Sequence, residues 1–210
     1  VGANFSDIPN SAVTRIRDGI LDGIGIAFLG YYKIGDLHVS YAERVGFGSP
    51  ESTIIGDGSK VSCMVAAGVN ASMGHSTDFF DGGPGYPSMA SLAPSGVAVA
   101  ERTGSSGRDL ITAVAIGYEI SARLHRAAFP LELIYGDIPK RDASFPGTDR
   151  QRALVIAIAA SKLLGLDQSQ TCSAMCIAWH YTPAPTTITK NGSFNLGSCH
   201  WGIQAALLAQ

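Results

Sequence analysis

Apolar residues recur along the chain at helical spacing, with little of the alternation that marks strands. After Pro9-Asn-Ser, the positions Val13, Ile16, Ile20, Leu21, Ile24 and Phe28 follow three-and-four steps, which predicts one apolar helix face. Residues 50–60 break that rhythm. They predict a loop with a short strand at 53–55, closed by Gly56-Asp-Gly-Ser-Lys60. Residues 60–80 then read as a helix rich in small side chains: Ala66, Ala67, Gly68, Ala71, Ser72 and Gly74. Small side chains let helices approach closely, so this helix is expected at the centre. Residues 87–103 form the next predicted helix, with Ala90, Ala93, Gly96 and Ala100 at helical spacing. Residues 108–129 follow the turn Gly104-Ser-Ser-Gly107. Residues 149–164 are apolar and alanine-rich, and Gly165 supplies the residue type that closes a helix. Residues 168–180 are stopped by Pro183-Ala-Pro185, and residues 194–210 are apolar to the end. Helices joined by short turns predict an all-α bundle, a single helical domain over residues 1–210. A valine at position 1 and an apolar helix running to the last residue suggest part of a longer chain.

Composition sharpens this picture. Hydrophobic residues make up 46% of the 210 and charged ones only 15%, so most helices should be largely buried. The net charge of −2 and the lack of any Lys/Arg run argue against nucleic acid or an anionic membrane surface as the main partner. No apolar run is long enough to span a bilayer; residues 153–166 come closest, and Lys162 interrupts them. With no secretory signal in view, the expected compartment is the cytoplasm, or the mitochondrion if a transit peptide has been removed. Cys63, Cys172, Cys176 and Cys199 lack a second pair at zinc spacing, and the expectation is four reduced core cysteines. The triplets at Asn4, Asn70 and Asn191 are read as chance glycosylation matches. Gly56-Asp-Gly58 has the wrong spacing for a phosphate loop.

Candidate chemistry concentrates in Gly74-His-Ser-Thr-Asp-Phe-Phe-Asp-Gly-Gly-Pro-Gly-Tyr-Pro-Ser88. If the helix ran through Asp81, then His75, Asp78 and Asp81 at i, i+3 and i+6 would share one side, drifting about 60° per step. Two carboxylates at a helix C-terminus oppose the helix dipole and need another reason to be there. Either they accept hydrogen bonds from a substrate hydroxyl or water, or pair with a cation; or Asp78 or Asp81 caps a neighbouring backbone and His75 is a satisfied core histidine. A metal site would need a third ligand, and none is expected. Gly82-Gly-Pro-Gly85 predicts a close-approach loop, and Tyr86-Pro-Ser88 restarts a helix. Other polar candidates are scattered: His125, Lys140-Arg-Asp142 within residues 136–148, His180-Tyr181, Lys190 and His200-Trp201. No Gly-x-Ser-x-Gly elbow occurs, and no Cys–His pair stands in the local context of a catalytic motif.

Several blocks carry a further likeness. In order they are Ile20-Leu-Asp-Gly-Ile-Gly25; Val69-Asn-Ala-Ser-Met-Gly-His-Ser-Thr-Asp-Phe79 with Asp81; Tyr86-Pro-Ser88; Ala100-Glu-Arg-Thr-Gly-Ser-Ser-Gly-Arg-Asp-Leu-Ile-Thr-Ala113 with Gly117-Tyr-Glu119; Ala159-Ala-Ser-Lys-Leu-Leu-Gly-Leu166; and Gly202-Ile-Gln-Ala-Ala-Leu-Leu-Ala209. In this order the chain resembles the MmgE/PrpD family of dehydratases, decarboxylases and epimerases. The resemblance implies most of the large helical domain of that family; its smaller α/β lid domain would lie outside these residues, be supplied by a separate chain, or be dispensed with. It also implies a homodimer, no organic cofactor, and a small-molecule substrate with an acidic C–H next to a carboxylate or carbonyl. Such lyase or isomerase chemistry needs a base, an acid for the leaving group and cations for carboxylates.

Carried over by residue, the resemblance puts Asp78 on the family's active-site aspartate and retains Asp81. Phe80 replaces an acidic residue, Gly82 stands where the family has threonine, and Tyr86 stands where it has histidine. A second family histidine would fall in residues 144–148, which contain none. A family lysine falls at Lys190. Asp78, Tyr86 and Lys190 are therefore the expected catalytic residues, and His75, Asp81, Gly82 and Ser88 the expected substrate contacts. A tyrosine with an ordinary pKa of about 10 is a poor base at neutral pH, though a competent acid. Two other readings stand beside the enzyme: a non-catalytic helical dimer or binding subunit, and an enzyme for a more hydrophobic natural-product substrate, suggested by Phe79, Phe80 and Tyr86.

Overall fold

The computed structural model describes residues 2–45, 48–81, 88–128, 148–182 and 193–210. The architecture of these residues is all-α, as the periodicity predicts. A 3-10 turn at Phe5–Asp7 leads into α1 (Asn10–Arg44). Then come α2 (Cys63–His75), α3 (Met89–Thr103), α4 (Gly107–Ala128), α5 (Thr148–Leu163), α6 (Gln168–Tyr181) and α7 (Ser193–Leu208). Two short strands, β1 (Ser52–Thr53) and β2 (Lys60–Val61), pair antiparallel with Ser52 opposite Val61.

Helix α2 is the centre expected of it. Every residue but Met64 is buried, and the helix packs against α1, α3 and α7. Side chains this small leave room for backbones to meet. A Cβ on Gly30 of α1 would overlap the Met73 carbonyl of α2. Asn70, buried in α2, braces the strand pair: its Oδ1 accepts from Ile55 N at 2.9 Å and its Nδ2 donates to Thr53 O at 2.9 Å. Burial and these two bonds make Asn70 unreachable as a glycan acceptor.

Three expectations are corrected. On α1 the inward face is Ile16, Ile20, Gly23, Ala27 and Gly30, so Leu21 and Phe28 point outward, 71% and 46% exposed. A count of apolar residues passes over the glycines that build the true contact face. Residues 60 and 61 belong to β2, and α2 starts at Cys63 and stops at His75, so His75, Asp78 and Asp81 do not share a helix. The stop has both a local and a long-range cause. Ser76 N bonds Met73 O, Asp78 takes a left-handed φ of 56°, and Lys33 of α1 donates to Ser76 O at 2.5 Å. Cys63 and Cys199 are buried as expected, whereas Cys172 and Cys176 are exposed on α6. Other stops are as predicted: Gly165 has φ 69°, and Leu166 N returns to Ser161 O at 3.0 Å. Among the described residues no helix is long and apolar enough to cross a membrane.

Candidate active site

The end of α2 and the start of α3 bring a set of polar side chains together. Ser88 precedes α3 but does not cap it; Asp81 does, with Oδ1 accepting from Met89 N at 2.7 Å. That bond joins Asp81 to the first residue of α3. The capping role leaves the Ser88 hydroxyl available to His75, whose Nε2 lies 3.2 Å from Ser88 Oγ and 3.5 Å from Ser91 Oγ. On the other side of the ring, Nδ1 lies 2.9 Å from Ala71 O. A carbonyl only accepts, so Nδ1 carries the proton and Nε2 of the neutral ring accepts from the hydroxyls.

Burial holds His75 in that neutral form. It lowers the pKa from 6.5 to about 4, helped by the nearby Arg152 charge and opposed by the bond to Ala71. The Phe80 ring, 4.6 Å from the imidazole, covers one side. Phe80 therefore seals the histidine, where an acidic side chain would have drawn a proton onto it. Arg152 of α5 is itself buried, and its Nη1 donates to Ser198 Oγ of α7 at 3.2 Å. Burial likewise raises the Asp81 carboxyl above its usual range. The Met89 amide opposes that rise and the charge of Asp22 adds to it. Tyr118 OH of α4 lies 3.5 Å from Asp81 Oδ2, and burial first, then the Asp81 charge, raise its pKa.

The unfolded histidine binds its proton near pH 6.5 and the folded one only near 4. Between these values the unfolded chain holds more protons, so acid favours unfolding. The contribution of His75 is complete above pH 6.5 and falls as pH drops toward 4. At pH 5 the loss is about 2 kcal/mol relative to pH 8. Urea midpoints at the two pH values measure it. The drop should shrink in His75→Gln; an equal drop in both proteins would show that other groups cause it.

Of the expected site residues, the structure brings His75, Ser88 and Asp81 to one junction. Asp78 stands apart from that buried group, exposed and left-handed, with its own N–H 3.4 Å from His75 O. Gly82, Tyr86 and Lys190 lie outside the described residues, as do Lys140-Arg-Asp142 and residues 144–147. Asp81 has the backbone-capping role that the sequence left open. Tyr118, Ser91, Ser198 and Arg152 join the junction without having been singled out as site residues. For Arg152 a signal existed: residues 152, 156, 159 and 163 fall on one face of α5, and Ile156, Ala159 and Leu163 are core. Among the described residues no three His, Cys, Asp or Glu side chains cluster to hold a metal.

The Ser88–His75–Ala71 relay has the outline of a nucleophile, a base and an orienting acceptor. Burial of both side chains and a pKa near 4 disqualify it as a working base at neutral pH. Its role is positional: it holds the end of α2 against the start of α3.

The chain belongs to the MmgE/PrpD family, whose N-terminal domain matches residues 1–210. It is 30% identical to the cis-aconitate decarboxylase of Homo sapiens, over 99% of this chain and 44% of that protein. It is 29% identical to the Mus musculus cis-aconitate decarboxylase, over 99% and 43%. The chain thus spans under half the length of these relatives.

Proposed function

We propose that the protein is a lyase or isomerase of the MmgE/PrpD type that needs no organic cofactor. Its substrate would be a small carboxylic acid with an acidic C–H next to a carboxylate or carbonyl. The observation that supports this best is the junction of Asp81, Ser88 and His75, with the exposed Asp78 three residues before Asp81. In this reading Asp78 takes the acidic proton, the Tyr86 hydroxyl serves the leaving group and Lys190 holds a carboxylate. Buried Arg152 and the amino end of α3 add positive potential at the junction. The working form in this proposal is a cytoplasmic homodimer, with a lid supplied by further residues or by a second chain.

Turnover of cis-aconitate and 2-methylcitrate by the full-length protein tests the proposal. Release of carbon dioxide or water from either acid, diminished in Tyr86→Phe, is the expected result. Absence of turnover on any carboxylic acid, with a folded protein, would overturn it. One observation favours a more hydrophobic substrate: Phe79, beside Asp78, is 73% exposed. Faster turnover of an alkyl-substituted acid than of cis-aconitate would select that version.

A further inference from the structure

Two cysteines stand where that residue type is uncommon. Cys63 and Cys199 are buried, whereas Cys172 and Cys176 are exposed on α6. They are four residues apart, so they neighbour each other on one side of the helix. Half-buried Met175, three residues after Cys172, is the third neighbour. A long side chain on a helix leans toward the N-terminus, which carries the Met175 thioether over the turn of Cys172. Three sulfur side chains therefore share one turn of α6. The hydroxyls beside them are committed to their own helix. Thr171 Oγ1 donates to Asp167 O at 2.7 Å, and Ser173 Oγ donates to Ser169 O at 3.1 Å.

Spacing decides what the cysteine pair can hold. Side chains at i and i+4 have Cβ atoms about 5–6 Å apart, and a disulfide needs about 3.5–4.5 Å. Closing that bond would unwind α6. The helix resists unwinding: Asp167 N donates to Gln170 Oε1 at 3.0 Å, Gln170 N donates to Asp167 Oδ1 at 2.8 Å, and Ala174 and Ala178 are buried in the core. An ion between the two sulfurs spans the gap with the backbone unchanged. Among the described residues no third His, Cys, Asp or Glu joins the pair, so the third donor is a thioether. Thiolates and thioethers are soft ligands that select Cu(I), whereas zinc takes four ligands.

We propose that Cys172, Met175 and Cys176 bind one Cu(I) ion. The two thiols ligate as thiolates, so two protons leave to solvent and the metal keeps its oxidation state. The site uses no residue of the α2–α3 junction and needs none of the lyase chemistry.

Anaerobic titration of the reduced full-length protein with Cu(I), in competition with the chelator bicinchoninate, tests the proposal. The wild-type protein should retain one more equivalent of Cu(I) than Cys172→Ser or Cys176→Ser. Each serine variant should bind that equivalent at least about 100-fold more weakly, since loss of a mere supporting group costs about 10–100-fold. Met175→Leu, which keeps the bulk and removes the sulfur, should weaken it about tenfold. His180→Gln, one turn beyond Cys176, should leave it unchanged. Helicity should be the same in all four variants; if a serine variant unfolds, the alanine variant at that position carries the same expectation. Equal Cu(I) retention by the wild-type protein and the serine variants would overturn the site. So would an effect of His180→Gln as large as that of Met175→Leu, or a disulfide between Cys172 and Cys176 in the folded protein after mild oxidation. Turnover of carboxylic acids is read separately, so failure here and failure of the lyase reading are distinguishable.

Discussion

Gly30→Ala should destabilise the protein by about 3 kcal/mol, while Gly25→Ala on the same helix should stabilise it by up to about 1 kcal/mol. Helix propensity alone favours alanine at both positions, so the opposite signs isolate the packing contribution. Gly25 has nothing near the position of its missing Cβ. At Gly30 the new carbon would meet the carbonyl oxygen, carbonyl carbon and Cα of Met73, all backbone. A flexible side chain could rotate away, but a buried helix backbone cannot without moving α2. That movement would reach His75, two residues beyond Met73, and with it the hydrogen bonds to Ser88 and Ala71. Urea unfolding of the two variants measures both signs. Gly30→Val, larger still, should fail to accumulate as folded protein. An increase in stability for Gly30→Ala would mean that α1 and α2 do not cross at that point.

The same crossing explains what the sequence reveals and what it hides. Helix identity is legible because small-residue runs and closing glycines are local signals; Gly104 and Gly165 both take the positive φ expected of a helix stop. The inward face of α1 is not legible from apolar counting, because Gly23 and Gly30 make the contact while Leu21 and Phe28 lie outside. The end of α2 is hidden for a different reason. Its carbonyl at Ser76 is met by Lys33, 43 residues earlier, and a single-segment pattern cannot see such a partner. The candidate site divides in the same way. His75, Asp81 and Ser88 lie in one stretch and are found by inspection. Tyr118, Arg152 and Ser198 reach the junction from α4, α5 and α7, and only the fold brings them there. Even the assignment of Asp81 to a cap depends on Ser88 turning to His75 instead of its own helix.

Asp78→Asn should reduce turnover by about 10²–10⁴-fold while leaving stability equal or higher. Asp78→Gly should abolish turnover and raise stability by about 1 kcal/mol. Both expectations rest on the proposed role of Asp78 as the base and on its geometry. Its backbone sits at φ 56°, a conformation that favours glycine and that aspartate adopts at some cost. Its carboxylate also lies just past the C-terminus of α2, where the helix dipole opposes negative charge. The position is thus unfavourable to aspartate on two independent physical grounds, and the exposed side chain recovers nothing from burial. Asparagine removes the charge and keeps the shape; glycine removes the backbone strain as well. If the carboxylate performs the proton transfer, stability and activity must move in opposite directions across the series Asp, Asn, Gly. Parallel measurement of urea midpoints and kcat on the acid that the wild-type protein turns over provides the comparison. Retained kcat in Asp78→Gly would assign the proton transfer to another group and leave Asp78 as an element of the helix stop.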